Sequence, residues 1–275
     1  MWRNALAIIK LTCQMVLVMG LGFAISLGIH ISVVESTRPP TDEELKSLNN
    51  ISSHLASQEY NTVKTSRQSI VQVLSGYAKE EGFAKMSGTY VTYDEKFYVI
   101  TAAHGIVGGC SSLYVAANAD IVCDCIQYVI VDEWIDYAII QIEKVPGRTP
   151  IPLQHSLPAN NQWKHQLAIL NEVFYTGYPN GLGPLTFRGD IVGLSPDNYV
   201  YLHSYAWPGS SGAGVFSREG KLIGIVIALN VGLTSAGYDV LEDLVIVTPL
   251  FMVDWDLAYS RMRESPETDT GDTGE

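Results

Sequence analysis

Positive charge is in short supply in this sequence. Its 17 Lys and Arg stand against 29 Asp and Glu in 275 residues, a formal net charge of −12 with a pI near 4.9. Phosphate binding needs a cationic surface, so nucleic acid is excluded as the main partner. Cysteine is scarce as well, with Cys13, Cys110, Cys123 and Cys125 the only four. Cys13 falls in an apolar N-terminal run, which leaves an odd number in the body of the chain. Cys123 and Cys125 point the same way if 121–130 is a strand. One disulfide with Cys110 and buried free thiols both stay open. A zinc site would need a fourth ligand at suitable spacing, and none is evident. The chain has no Gly-rich phosphate loop and no metalloprotease helix motif, so no cofactor and no metal are expected.

Long apolar runs, by contrast, are present. Residues 11–34 carry no charged side chain when His30 is neutral, which is long enough to cross a bilayer as a helix. A secretory signal has a shorter apolar region and a cleavage site, and no convincing site follows here. The reading is an uncleaved N-terminal transmembrane helix within residues 1–36, meeting the lipid bilayer through 11–34. Arg3 and Lys10 ahead of it favour a single-pass membrane protein whose body lies on the non-cytoplasmic side. Arg38 and Lys46, just beyond the span, weaken that asymmetry. Gln14 and His30 fall near the ends of the run, at interfacial depth.

Residues 37–65 read as a linker or stalk. Pro39-Pro40 stops the anchor helix, and Thr41 with Glu44 matches a capping box. Leu45, Leu48 and Leu55 suggest a short surface helix. Asn50-Ile51-Ser52 matches a glycosylation acceptor, a pattern that also arises by chance. Residues 66–262 form the main domain. Its fifteen tyrosines and many short Val/Ile runs between glycines suit an all-β fold. Phe251, Trp255, Ala258, Tyr259 and Met262 have the spacing of an amphipathic closing helix. Residues 263–275 are an acidic tail of disordered composition.

Three short motifs carry chemistry. Phe97-Tyr98-Val99-Ile100-Thr101 reads as a buried strand, and Ala102-Ala103 lets the chain turn so that His104 stands at the strand's end. Asp136 is the one acid in an otherwise nearly apolar run from Trp134 to Ile142. A carboxylate there is costly to bury unless paired, and an imidazole N–H is a suitable partner. Pro208-Gly209-Ser210-Ser211-Gly212-Ala213-Gly214 supplies hydroxyls in a turn that glycine permits. Ser211, directly before Gly212, fits a nucleophile better than Ser210. In such a turn the N–H groups of Gly209 and Ser211 can converge as an oxyanion hole. A hydroxyl, a base and a carboxylate are the set that nucleophilic acyl transfer requires.

Thr101-Ala102-Ala103-His104, Asp136-Tyr137-Ala138-Ile139-Ile140 and Gly209-Ser210-Ser211-Gly212-Ala213 together resemble the three signatures of trypsin-like serine peptidases. Gly177-Tyr178-Pro179-Asn180-Gly181-Leu182-Gly183, Gly189-Asp190-Ile191-Val192 and Gly220-Lys221-Leu222-Ile223-Gly224-Ile225 resemble the HtrA-type branch. The resemblance covers roughly residues 66–262. It implies two perpendicular six-stranded β-barrels of trypsin-like type, followed here by the C-terminal helix and preceded by the anchor. It also implies His104 as general base, Asp136 as its orienter and Ser211 as nucleophile. Ala213 stands where the family often has a second glycine, a methyl expected to narrow a backbone approach to substrate. Ser210 replaces the acid of secreted digestive members, so a new N-terminus is not needed to order the site. Too little chain follows Ser211 for a PDZ domain.

By the same resemblance, Tyr205, Ala206 and Trp207 form one wall of the substrate pocket and Ile225 and Val226 another. Ser204 lies on the first wall, and His203 nearby is read as strand-exposed. No acid stands there to select Lys or Arg, so a small or medium apolar residue before the scissile bond is expected. The leading function is a membrane-anchored serine endopeptidase acting on protein or peptide substrates through an acyl-enzyme on Ser211. The alternatives are a viral or phage processing protease with the same chemistry and a non-catalytic binding module on a protease scaffold.

Overall fold

The computed structural model describes residues 57–76, 82–118, 120–234 and 237–264, with the backbone alone over 228–242. The expected membrane span and most of both the linker and the acidic tail lie outside the described residues. Among the described residues no helix is long and apolar enough to cross a membrane.

Residues 57–69 form a helical segment, α1, that leads directly into the first barrel. That barrel comprises β1 (Ile70–Gly76), β2 (Phe83–Tyr93), β3 (Lys96–Thr101), β4 (Leu113–Asn118), β5 (Ile121–Asp132) and β6 (Tyr137–Ile142). They pair in the order β1-β4-β5-β6-β3-β2, and β2 returns to β1 to close the ring. A two-residue strand β7 (Ile151–Pro152) adds in parallel to β2. Two single-turn helices follow in the connection, α2 (Leu153–Ser156) and α3 (Trp163–Gln166). The second barrel comprises β8 (Glu172–Gly177), β9 (Leu185–Leu194), β10 (Val200–His203), β11 (Gly214–Ser217), β12 (Leu222–Thr234) and β13 (Gly237–Pro249). It closes in the order β8-β9-β10-β13-β12-β11.

The two barrels and the closing helix match the architecture expected from the sequence. Helix α4 (Trp255–Glu264) starts several residues later than the hydrophobic spacing suggests. Leu250–Met252 is a 3-10 turn, and Asp254 accepts the Leu257 amide at 3.0 Å as the helix cap.

Burial accounts for the unbroken apolar runs. Val71, Val73, Val99, Val115, Ile140 and Ile142 fill the first barrel, while Val173, Ile191, Leu202, Val215 and Val247 belong to the second barrel's core. A third cluster joins Tyr98, Ile100 and Ile139 from the first barrel to Phe216, Ile225, Leu250 and Met262 from the second half of the chain. Strands β3 and β6 are therefore covered on both faces, and β6 reads as a nearly continuous apolar run, interrupted by buried Gln141, instead of alternation. The Tyr98 hydroxyl donates to the Met262 carbonyl at 3.0 Å and pins α4 across this third core.

Cys110 and Cys125 form a disulfide with Cα atoms 5.4 Å apart, and Cys123 is a buried free thiol. Helix α1 packs on the second barrel through Thr62, which donates to the Arg218 carbonyl, and Ser66, which donates to Thr176. Glu59 pairs with Arg218.

Candidate active site

The histidine turn hangs from the end of β3. Ala102 and Ala103 are buried and His104 projects outward, half exposed. Asp136 sits one residue before β6 in a left-handed conformation, φ 56°. From there it holds His104 with both oxygens. Oδ2 meets Nδ1 at 2.7 Å, and Oδ1 accepts the His104 backbone N–H at 2.8 Å. The hydrogen bond to Asp136 raises the imidazole above its ordinary value, against a smaller opposing effect of burial. Burial pushes the Asp136 carboxyl up, but the His104 ring, its amide and the Ala103 amide together bring it below the ordinary carboxylate value. Both shifts describe a pair that favours imidazolium facing carboxylate.

The loop carrying Asp136 is itself held by neighbours. Asp132 accepts the amides of Trp134 and Ile135. The second barrel grips the same loop twice, through Tyr199 OH to the Trp134 carbonyl at 3.0 Å and Thr248 Oγ1 to the Ile135 carbonyl at 2.7 Å.

The serine turn can be accounted for group by group. Four consecutive carbonyls are engaged: Pro208 O by Asn180 N at 2.6 Å, Gly209 O by Ser87 Oγ at 2.7 Å, Ser210 O by Ala213 N at 3.0 Å and Ser211 O by Ser87 N at 2.8 Å. Ser210 N donates to Trp207 O, and Gly212 N donates to Val226 O. Among the described residues, the N–H groups of Gly209 and Ser211 donate to no protein acceptor. Two free donors flanking an engaged one is the pattern an anion-binding turn requires.

Gly209 (φ 97°) and Gly212 (φ 86°) are both left-handed. A Cβ on Gly212 would lie 2.0 Å from the Ser87 carbonyl oxygen, and one on Gly209 would lie 2.5 Å from the Tyr178 carbonyl oxygen. The turn is thus seated directly on β2 and on the loop after β8. Thr101 Oγ1, three residues before His104, donates to the same Ser87 carbonyl at 2.7 Å.

Ser211 is partly exposed, whereas Ser210 is buried with its hydroxyl toward the Trp207 amide. The Ser211 hydroxyl donates to the Ile227 carbonyl at 3.2 Å. The structure therefore brings His104 and Asp136 into direct contact and points the Ser211 hydroxyl at β12. Ile227 lies at a register shift between Val226 and Ala228, where its carbonyl leaves the ladder.

Tyr205 is exposed and stacks near Trp207, with centroids 6.3 Å apart, and Trp207 lies 5.7 Å from Phe187. Ala206, Ile225 and Val226 are buried in the cores. Ala213 is fully buried in the second core, so its methyl faces packed side chains and not the cleft. Sequence reasoning missed Ser87, Asn180 and Thr248 as supports of the site. A serine-glycine pair inside the apolar strand β2 was the available signal for Ser87. Among the described residues no group of three or more His, Cys, Asp or Glu is placed to hold a metal.

The family model for the trypsin-like peptidase domain matches residues 86–225, just over half the chain. The chain belongs to the trypsin-like peptidase family. Its enzyme class is accordingly that of a serine endopeptidase. Among solved structures, the serine endoprotease from Yersinia pestis overlaps this peptidase over 75% of the chain and 67% of its own, with a TM-score of 0.55 and 18% identity. At that identity the likeness establishes the fold. The inactive form of Rv3671c from M. tuberculosis H37Rv overlaps over 78% of this chain and 93% of its own, with a TM-score of 0.49 and 18% identity. No curated protein matches the sequence.

Proposed function

We propose that this trypsin-like peptidase is a membrane-tethered serine endopeptidase of HtrA type, with Ser211 as nucleophile, His104 as general base and Asp136 as the base's orienter. The observation that carries the reading is the two-oxygen grip of Asp136 on His104. It fixes the Nδ1–H tautomer and leaves Nε2 as the free base. For attack, the Ser211 hydroxyl turns from the Ile227 carbonyl to His104 Nε2 and gives up its proton there as Oγ bonds to the substrate carbonyl carbon. The carbonyl π electrons move to oxygen, and that oxyanion receives the N–H groups of Gly209 and Ser211. Collapse expels the amine, which takes the proton from His104, and water repeats the sequence on the acyl-enzyme. A substrate N–H that occupies the Ile227 carbonyl frees the hydroxyl for this role.

The pocket reading rests on Tyr205, Ala206 and Trp207 with Ile225 and Val226 behind them, a set without an acid. It favours an apolar residue before the scissile bond. The tether rests on the apolar run 11–34, and alkaline extraction of membranes carrying the full chain tests it. Recovery in the soluble fraction would refute the anchor.

A fluorophosphonate probe tests the chemistry. The wild-type chain should be labelled at a single serine, and Ser211→Ala should abolish labelling. Labelling that survives in the variant would remove Ser211 from its role. Cleavage of a peptide library after Lys or Arg would overturn the pocket reading.

A further inference from the structure

We infer that Ser87, on β2 of the first barrel, is the positioning residue that sets the oxyanion-binding turn of the second barrel. This rests on the reading of Gly209 and Ser211 N–H as the oxyanion donors. Ser87 is fully buried. A serine offers four hydrogen-bonding roles, and here all are used, three of them across the seam between barrels and one within the first barrel. Its hydroxyl donates to Gly209 O at 2.7 Å and accepts Tyr178 N at 2.9 Å. Its amide donates to Ser211 O at 2.8 Å, and its carbonyl accepts Thr101 Oγ1 at 2.7 Å. One residue therefore touches both ends of the turn, the loop beneath it and the strand that leads to His104.

The need for such a clamp follows from glycine. Left-handed Gly209 has no Cβ to block rotation of the peptides on either side. Their orientation must come from hydrogen bonds, because a carbonyl and N–H of one peptide point in opposite directions. The Pro208–Gly209 peptide presents its N–H to the cleft because its carbonyl is drawn away by Asn180 N at 2.6 Å. Ser87 holds the next carbonyl directly. It also holds Tyr178, two residues ahead of Asn180, and so acts on the first peptide through the loop. An apolar residue at 87 would leave the Gly209 carbonyl and the Tyr178 amide without their partner, and a turn of the peptide would be the cheapest relief.

The test uses the full chain carrying Ser87→Ala. Fluorophosphonate labelling run to its end point counts functional sites, so kcat is read per site even if fewer molecules fold. We expect kcat to fall about ten- to a hundredfold, the range for a small misplacement of catalytic groups. Affinity for a peptidyl trifluoromethyl ketone, whose adduct carries the oxyanion, should fall in the same proportion. KM for an ordinary peptide and the pH midpoint of kcat/KM should hold, because the His104–Asp136 contact is untouched. If Ser87→Ala gives no labelled sites, Ser87→Cys, similar in volume with a weak hydrogen-bonding sulfur, should show the same loss. Unchanged kcat per site, or parallel movement of KM and the pH midpoint, overturns the inference. Labelling retained by Ser211→Ala would instead sink the underlying catalytic reading, whatever Ser87→Ala does.

Discussion

Asp136 combines a strained backbone with a paired side chain, and the first explains the second. At φ 56° the residue aims its carboxylate back along the chain at both the ring and the amide of His104. The raised imidazole means that the neutral base accumulates only as pH rises through a midpoint above about 6.5. Asp136→Asn removes the cause of that rise. We expect the midpoint of kcat/KM to move down and kcat to fall by up to about 10⁴-fold, as for the loss of an orienting carboxylate. A pH–rate profile of the variant checks both, and an unmoved midpoint contradicts the assignment. The linkage to stability runs the other way at each end. His104, raised in the fold, contributes below its unfolded value and loses that contribution as pH climbs through the folded one. Asp136, lowered, contributes above its unfolded value and loses it as pH falls. The pair's support is therefore full between about 4 and about 6.5.

Asn180 offers a second test at this scale. It is left-handed (φ 52°, ψ 25°), which is what aims its N–H at Pro208 O. Asn180→Gly keeps that conformation accessible and should keep kcat, whereas Asn180→Val disfavours it and should lower kcat with little change in KM. Equal kcat in the two variants would show that the backbone geometry at 180 is immaterial. As a proposed triad, His104, Asp136 and Ser211 were legible because each announces itself in its own neighbourhood: a strand end, a lone acid in apolar sequence, a glycine-flanked hydroxyl. Ser87 and Thr248 were not, because their partners lie 122 and 113 residues away. The Ser87-Gly88 pair marks a polar break in an apolar strand, but nothing local names a partner whose bond is formed only when two barrels meet.

Elements were easier to read than their pairings. The strand expected over 97–101 is Lys96–Thr101, and that over 121–130 is Ile121–Asp132. Which cysteine pairs with Cys110 depends on register, and composition does not carry register. Antiparallel pairing sets Asp124 opposite Tyr114 and Cys123 opposite Val115. Cys123 is thereby carried into the first barrel's core, while Cys125 lies beside the turn of Cys110–Ser112 that precedes β4. The crosslink joins positions 15 apart, on the stretch that leads away from His104. For a loop of that size the denatured chain loses entropy equivalent to about 3 kcal/mol. Replacing both Cys110 and Cys125 by Ala should lower the unfolding free energy by about 2–3 kcal/mol in urea titration. A double variant as stable as wild type would mean that the crosslink constrains nothing the fold does not already constrain.

At the scale of the molecule, the proposed site needs the two barrels held in one relation. His104 and Asp136 come from the first, Ser211 from the second. The contacts across the seam are polar as well as apolar, and Arg148 gathers several of them. Its guanidinium donates to the Arg67 carbonyl at 3.0 Å, the Ala117 carbonyl at 2.6 Å and the Tyr178 hydroxyl at 2.7 Å. It thereby ties the end of α1, the end of β4 and the start of the loop bearing Asn180. Arg67 extends the tie to Pro184 and Thr186. Arg148→Met keeps the aliphatic stem and removes these bonds. Hydrogen bonds to a charged group contribute about 1.5–3 kcal/mol when buried, and partial exposure of Arg148 brings the expected loss to about 2 kcal/mol. In a domain of this size that is a Tm lower by about 4–8 °C. Because the Tyr178 amide also donates to the Ser87 hydroxyl, the same variant should reduce kcat while the pH midpoint set by Asp136 and His104 stays put. Differential scanning calorimetry with pH–rate profiles separates the two effects. A lowered Tm with unchanged kcat would confine Arg148 to stability, and would mean that the loop after β8 keeps its position by the Ser87 contact alone.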